Sequence, residues 1–252
     1  MSTEAGNATA HYLYAIADSR EVQKCDCRGI NGSPVYPISN GRTTVMVSDV
    51  PNAKMRPERR HLVAHHGVLK YLMSQATVLP MAFGNIVDGD DGIRGLLSRK
   101  EAAFIEQLGR VAGKVEMGLR VAWDVPNIFE YFVHVHPELR TMRDRVFLRD
   151  REPSHEERIE LGRIFERVLA EDRAASTGKV REVLSPHCFE IKENRPRNEQ
   201  EVMNLACLVA RDAIQAFEVG VLSAARLFDD SFTFDYSGPW APHNFAELDL
   251  SP

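Results

Sequence analysis

Four cysteines and nine histidines carry most of the chemical reach of this chain. Cys25-Asp26-Cys27 sets two thiols one residue apart. Zinc knuckles and dithiol redox motifs use two intervening residues, so this spacing supports neither a metal site nor a disulfide framework. Cys188 and Cys207 sit on apolar, strand-like runs, where a thiol behaves as a small hydrophobe. His65 and His66 are adjacent, and neighbours on a helix point about 100° apart, so they do not share one ion. His134 and His136 flank Val135 before Pro137, and no third ligand is set by spacing. Asp88-x-Asp90-Asp91-Gly92 resembles the start of a calcium loop. Its glycine comes one position early and the closing Glu is missing, so it reads as an acidic loop before a helix N-terminus.

Other chemistry fails on the same kind of test. Gly109-x-x-x-Gly113-Lys114 is one residue short of a phosphate loop, with Val115 where magnesium needs a hydroxyl. There is no Gly-x-Ser-x-Gly elbow and no His-Glu-x-x-His. Glu156 and Glu157 are adjacent on a helix, a poor way to hold carboxylates across a substrate. Nothing nominates a Ser-His-Asp triad, whose members need not be neighbours in the chain. The reading assigns no catalytic, cofactor-binding or metal residue.

The elements that would position a site follow from periodicity. His11–Ala17 alternates as a strand. Asn40-Gly41 lies between the β-rich runs Pro34–Ser39 and Thr43–Val50, a hairpin signal. Glu58–Ala76 reads as a helix, Val78–Phe83 as a short buried strand, Gly84–Gly95 as a Gly/Asp loop and Leu96–Val111 as a helix. Lys114–Trp123 alternates strictly, with Val115, Met117, Leu119, Val121 and Trp123 on one face. Asp124 and Pro126 suit a helix start, and the material to Pro153 is helical with a break near Pro137. Ser154-x-x-Glu157 is a capping box. Strands are predicted at His187–Glu193, Glu201–Val209 and Ser231–Tyr236, with a helix over Ile214–Phe228.

From Gly113 onward this order is βαββαβ, that of an enlarged ferredoxin-like sandwich. The fold class is therefore α+β in two domains: a mixed α/β domain over 1–112, a ferredoxin-like domain with a helical insertion over 113–236, and a tail, 237–252, that packs back. The chain has 252 residues and 44% hydrophobic content, enough for substantial cores. No run approaches the roughly 18 apolar residues of a membrane span, and Met1–Ala10 lacks the pattern of a secretory signal. A soluble intracellular protein is expected. A formal charge of −5 and a sheet without stacking aromatics on its central strands argue against nucleic acid.

Four segments carry a resemblance. They are His11–Ala17, the run Leu79-Pro80-Met81-Ala82-Phe83-Gly84, the block from Gly113 to Asp124, and the ending Tyr236-Ser237-Gly238-Pro239-Trp240-Ala241-Pro242-His243-Asn244-Phe245. In this order they are similar to the gas vesicle GvpF/GvpL family, over nearly the whole chain. The resemblance implies a non-enzymatic accessory protein of gas vesicle formation, cytoplasmic or vesicle-associated, without a cofactor. Its implied partners are the hydrophobic shell subunit, kept from aggregating or helped to nucleate, and other gas vesicle accessory proteins. A two-domain build with a ferredoxin-like C-terminal half is implied as well.

A greasy, β-rich subunit is held monomeric by covering its apolar face or pairing with its free edge. The chain offers an edge strand guarded by Glu190 and Lys192. It also offers a sheet face with Lys114, Glu116, Gly118 and Arg120, where small residues suggest close packing. The tail from Gly238 to Phe245, with Trp240 and Phe245 stiffened by Pro239 and Pro242, is a candidate occupant of that face, with the two aromatics either as contact residues or as closure of the two-domain interface. The alternative class is a small-molecule or haem-binding oxidoreductase of the dimeric sandwich type.

Overall fold

A computed structural model describes residues 9–147 and 152–248 of the chain. The first eight residues, read above for a secretory signal, and the last four of the predicted tail lie outside the described residues. The chain forms two compact units, one holding the sequence up to Glu116 together with the segment from Pro239, the other running Met117–Gly238.

The first unit contains β1 (Thr9–Asp18), β2 (Tyr36–Asn40), β3 (Thr43–Pro51), α1 (Arg59–Gln75), β4 (Val78–Pro80), β5 (Ile86–Asp88) and α2 (Gly89–Val111). Its sheet has the order β2-β3-β1-β4, with β5 also pairing β1, and these pairs are antiparallel. The alternation of His11–Ala17 predicts a strand, and every residue from Ala10 to Ala17 is buried in it. The reason is position. β1 is flanked by β3 on one side and by β4 and β5 on the other, while α1 and α2 both pack on it. The register slips between Leu13 and Ala15, which leaves Tyr14 as a bulge residue. Its hydroxyl lies 2.8 Å from Ser48 Oγ and accepts from Ile30 N–H at 2.8 Å, so the bulge pins the long loop after β1.

The hairpin forms one residue later than Asn40-Gly41. Asn40 pairs with Thr43, and Gly41 and Arg42 make the turn. Only Gly41 has positive φ, +62°, as the first central residue of a type II′ turn requires. Glu101 of α2 closes it by accepting from Arg42 N–H at 2.6 Å. Gly84–Gly95 is not a loop throughout. It holds β5 and the start of α2, whose first turn carries Asp90 and Asp91 where free N–H groups favour carboxylates.

A second correction concerns Cys25 and Cys27, which are joined by a disulfide. One-residue spacing rules out the usual metal knuckle, but here the loop bends so that the two Cα atoms lie 5.4 Å apart, within disulfide range.

Further along come β6 (Lys114–Trp123), α3 (Ile128–Val135), α4 (Pro137–Phe147), α5 (His155–Leu184), β7 (Glu190–Asn194), β8 (Glu201–Ala210), α6 (Ile214–Ala225) and β9 (Phe232–Trp240). Their sheet has the order β7-β8-β6-β9. The α+β class thus holds, with two separate sheets and their helices. β6 matches its predicted bounds, and its apolar set Val115, Met117, Leu119, Val121 and Trp123 is buried. Trp123 packs edge-on to Phe132 at 5.1 Å, with Arg173 lying over its ring. The helix after β6 is capped by Asn127, which accepts from Glu130 N–H, rather than by Asp124. Ser185–His187 is a 3-10 turn, so β7 starts later than predicted. β9 continues past Tyr236 to Trp240, so the first part of the expected tail is strand.

At α5 both capping-box bonds form: Ser154 Oγ accepts from Glu157 N–H, and Glu157 accepts from Ser154 N–H. Ser154→Ala removes one acceptor from this 30-residue helix. It should cost about 1 kcal/mol, read as a lower urea midpoint at unchanged slope.

Candidate functional site

Glu116 is a charged residue on β6 and, unlike Arg120 on the same strand, it is only 7% exposed. A buried carboxylate must be hydrogen-bonded. Glu116 accepts from the backbone N–H of Asn244 at 2.8 Å and from Asn244 Nδ2 at 2.6 Å. Farther along the tail, Glu247 accepts from Arg110 Nη1 at 3.3 Å and donates its backbone N–H to Gln107 Oε1 at 3.4 Å. Between these ties the chain closes on itself, with Phe245 and Ala246 N–H groups donating to the Pro242 carbonyl. Pro239 and Pro242 fix φ on either side of Trp240 and Ala241. Phe245 is 0% exposed and anchors the turn, while Trp240 remains 46% exposed.

Behind Trp240 lies a group of rings. His66 is 6.4 Å from both Trp240 and His243 between ring centroids, and His65 is 5.7 Å from His66. His65 is buried beside Tyr12, Tyr14 and Phe83. Tyr12 accepts from Gly84 N–H, and its hydroxyl shares a hydrogen bond with His65 Nδ1, 2.9 Å away. Burial, then the charges of His66 and His243, lower the His65 pKa to about 4, with the Met81 backbone acting in the other direction. Partial desolvation of its ring, then the charge of His66, lower the His243 pKa to about 4 as well, although the residue as a whole is exposed. Burial pushes Tyr12 up to about 12. At neutral pH the cluster is therefore uncharged at His65 and His243. Among the described residues no group of three or more His, Cys, Asp or Glu side chains is placed to hold a metal.

The remaining residues singled out from the sequence divide between the two units. Lys114 donates to the Arg110 carbonyl at 2.6 Å, in the last turn of α2. Arg120 is exposed, 4.0 Å from Glu201. Glu190 and Lys192 pair at 3.8 Å on β7, an edge strand. Small size at Gly118 has a specific cause: a Cβ there would come 3.1 Å from Ser237 Oγ of β9. The structure thus brings Glu116, Trp240 and Phe245 together in one unit and leaves Arg120, Glu190 and Lys192 in the other.

Two features escaped the sequence reading. Asn244 holds the tail, and its only signal was a lone amide between two apolar anchors of a proline-rich ending. The other edge strand, β9, carries Phe232, Phe234 and Tyr236 at alternate positions, with Phe228 against the first two. Strict alternation could have shown that stripe.

A family model described as gas vesicle synthesis protein GvpL/GvpF matches residues 10–247. Similar proteins include gas vesicle protein F of a Streptomyces species, 26% identical and covering 94% of this chain and 99% of that one. Gas vesicle protein F of Dolichospermum flosaquae is also 26% identical, over 94% and 98% of the two chains. The crystal structure of GvpF from Anabaena sp. PCC7120 superimposes with a TM-score of 0.82 at 25% identity, covering 96% of this chain and 99% of that one.

Two outcomes test this geometry. Glu116→Ala strands both donors of Asn244 and should destabilise by about 2 kcal/mol, with Glu116→Gln intermediate because its amide oxygen replaces one of two acceptors. Hydrogen exchange at Asn244 should rise in the same order. For pH, an imidazole whose folded pKa lies below its unfolded value takes up a proton first in the unfolded chain. Stability at His65 is then complete above pH 6.5 and lost as pH falls toward 4, by about 3 kcal/mol in total. Denaturation midpoints between pH 7 and 4 should show that slope, and His65→Leu should flatten it.

Proposed function

This chain belongs to the GvpL/GvpF family of gas vesicle synthesis proteins, and we propose that it serves gas vesicle formation by binding the hydrophobic shell subunit. In this reading it acts in the cytoplasm, keeps the subunit from aggregating, and delivers it to nucleation or assembly alongside other accessory proteins. It works by contact and breaks no covalent bond.

The observation that carries the contact is Trp240. A large aromatic that remains 46% exposed on a segment braced by two prolines and a buried phenylalanine is rigid before it meets anything. Rigid, exposed tryptophans lose little entropy on binding and dominate interface energies. Phe245 is buried and Glu116 holds Asn244 in the same segment, and this favours Trp240 itself over Phe245 as the contact.

The edges of the second sheet support the same reading by their difference. β7 carries the Glu190–Lys192 pair, and Arg181 ties Glu193, a charged rim that discourages further strands. β9 instead presents Tyr236, exposed, in line with Phe234 and Phe232. An apolar β-rich partner fits the aromatic edge and not the charged one.

Trp240→Ala should weaken binding of the shell subunit about 10- to 30-fold in pull-down titrations while the melting temperature stays within 1–2 °C. Unchanged affinity would remove Trp240 from the contact, and a collapsed melting temperature would make it a packing residue. Visible absorbance in the purified chain would instead favour the haem-binding class.

A further inference from the structure

We infer that Cys25 and Cys27 form an exchangeable redox site, a surface disulfide that low-molecular-weight thiols open and close. The pair is joined across a single residue. So short a ring restrains the unfolded chain less than any longer loop would, and a purely stabilising role is the weakest use of it. The disulfide is not the loop's only attachment. Val22 is buried ahead of it, and beyond it Ile30 N–H donates to the Tyr14 hydroxyl. Gly29 N–H reaches the Ser33 carbonyl at 2.8 Å, and Val35 N–H reaches the Cys27 carbonyl at 3.2 Å.

Access and charge both suit exchange. The two cysteines are half-buried, while Lys24, Asp26 and Arg28 around them are exposed. Lys24 and Arg28 flank the pair in sequence, with Arg28 donating to the Gly32 carbonyl; positive charge in the loop favours a leaving thiolate, and Asp26 opposes it. The remaining thiols differ: Cys207 is fully buried, and Cys188 is half-buried and hydrogen-bonded to it, which lowers the Cys188 pKa.

Reduction proceeds in two balanced steps. A small thiolate attacks one sulfur, the Cys25–Cys27 bond breaks, and its electron pair leaves on the other cysteine, which takes up a proton. A second thiolate attacks the mixed disulfide, releasing the small-molecule disulfide and the second protein thiol. Two small thiols are oxidised and one protein disulfide is reduced; the reverse uses the small-molecule disulfide as oxidant. The Cys27 carbonyl holds Val35 N–H, so the amide just before β2 feels the state of the bond.

The test equilibrates the full chain in mixtures of reduced and oxidised glutathione, alkylates free thiols and maps peptides. The peptide with Cys25 and Cys27 should pass from dithiol to disulfide in one two-electron transition, while Cys207 stays reduced throughout. Asp26→Asn should speed opening by reduced glutathione severalfold, since it removes a charge that repels the attacking anion and raises the leaving thiol's pKa. Amide exchange at Val35 should quicken in the reduced form and in a Cys25→Ser, Cys27→Ser double variant, with β1 unchanged. Two thiols that stay alkylatable at every ratio, a bond that survives excess reduced glutathione in the folded chain, or an Asp26→Asn rate equal to the parent's would overturn the inference.

Discussion

The tail's position rests on one buried carboxylate. Glu116 sits where strict alternation along β6 would place any polar residue facing water, but its surface is covered and its two oxygens accept from one asparagine. A charge in such a place is tolerated only while its donors remain. The reciprocal dependence is what makes the arrangement specific. The backbone N–H of Asn244 is also satisfied only in this geometry, so the tail has one seat rather than several. Phe245, buried beside that seat, supplies the apolar part of the same anchor. The exposure of Trp240 is then a consequence of structure rather than of a loose end.

The histidine cluster behind the tail follows a different rule. His65 is 2% exposed, bonded to one tyrosine and otherwise surrounded by rings, and burial keeps it neutral. A neutral imidazole serves there as a flat, polarisable filler that satisfies one hydroxyl. No third ligand is in reach among the described residues. Adjacent histidines gave little guide to this outcome, because the partners that decide it lie some 50 residues away along the chain, at Tyr12, and far beyond it, at His243.

Local rules were readable and long-range ones were not. The Ser154 capping box, the β6 alternation and the helical break at Pro137 are each decided within a few residues, and each formed as read. Gly84–Gly95 was misjudged because helix propensity is poor at its glycines, while Asp90 and Asp91 are favoured by the helix end that packing creates. The bulge at Tyr14 has no local signature, since the extra residue is defined by its partner strand. For the site, the Gly-Pro-Trp-Ala-Pro-His-Asn-Phe ending was visible as a pattern, but which of its residues is buried depends on Glu116, more than a hundred positions earlier. The disulfide was hidden because spacing rules describe metal knuckles and enzymes, not the bend of a particular loop.

The central claim is that this chain keeps a greasy building block in solution by direct contact. The most direct measurement expresses the shell subunit with and without this chain, spins the lysate, and quantifies the subunit left in the supernatant. The account requires the soluble fraction to rise in proportion to the amount of this chain present, with the two comigrating on sizing. A subunit that pellets equally in both cases, or that stays soluble without ever comigrating, would contradict it.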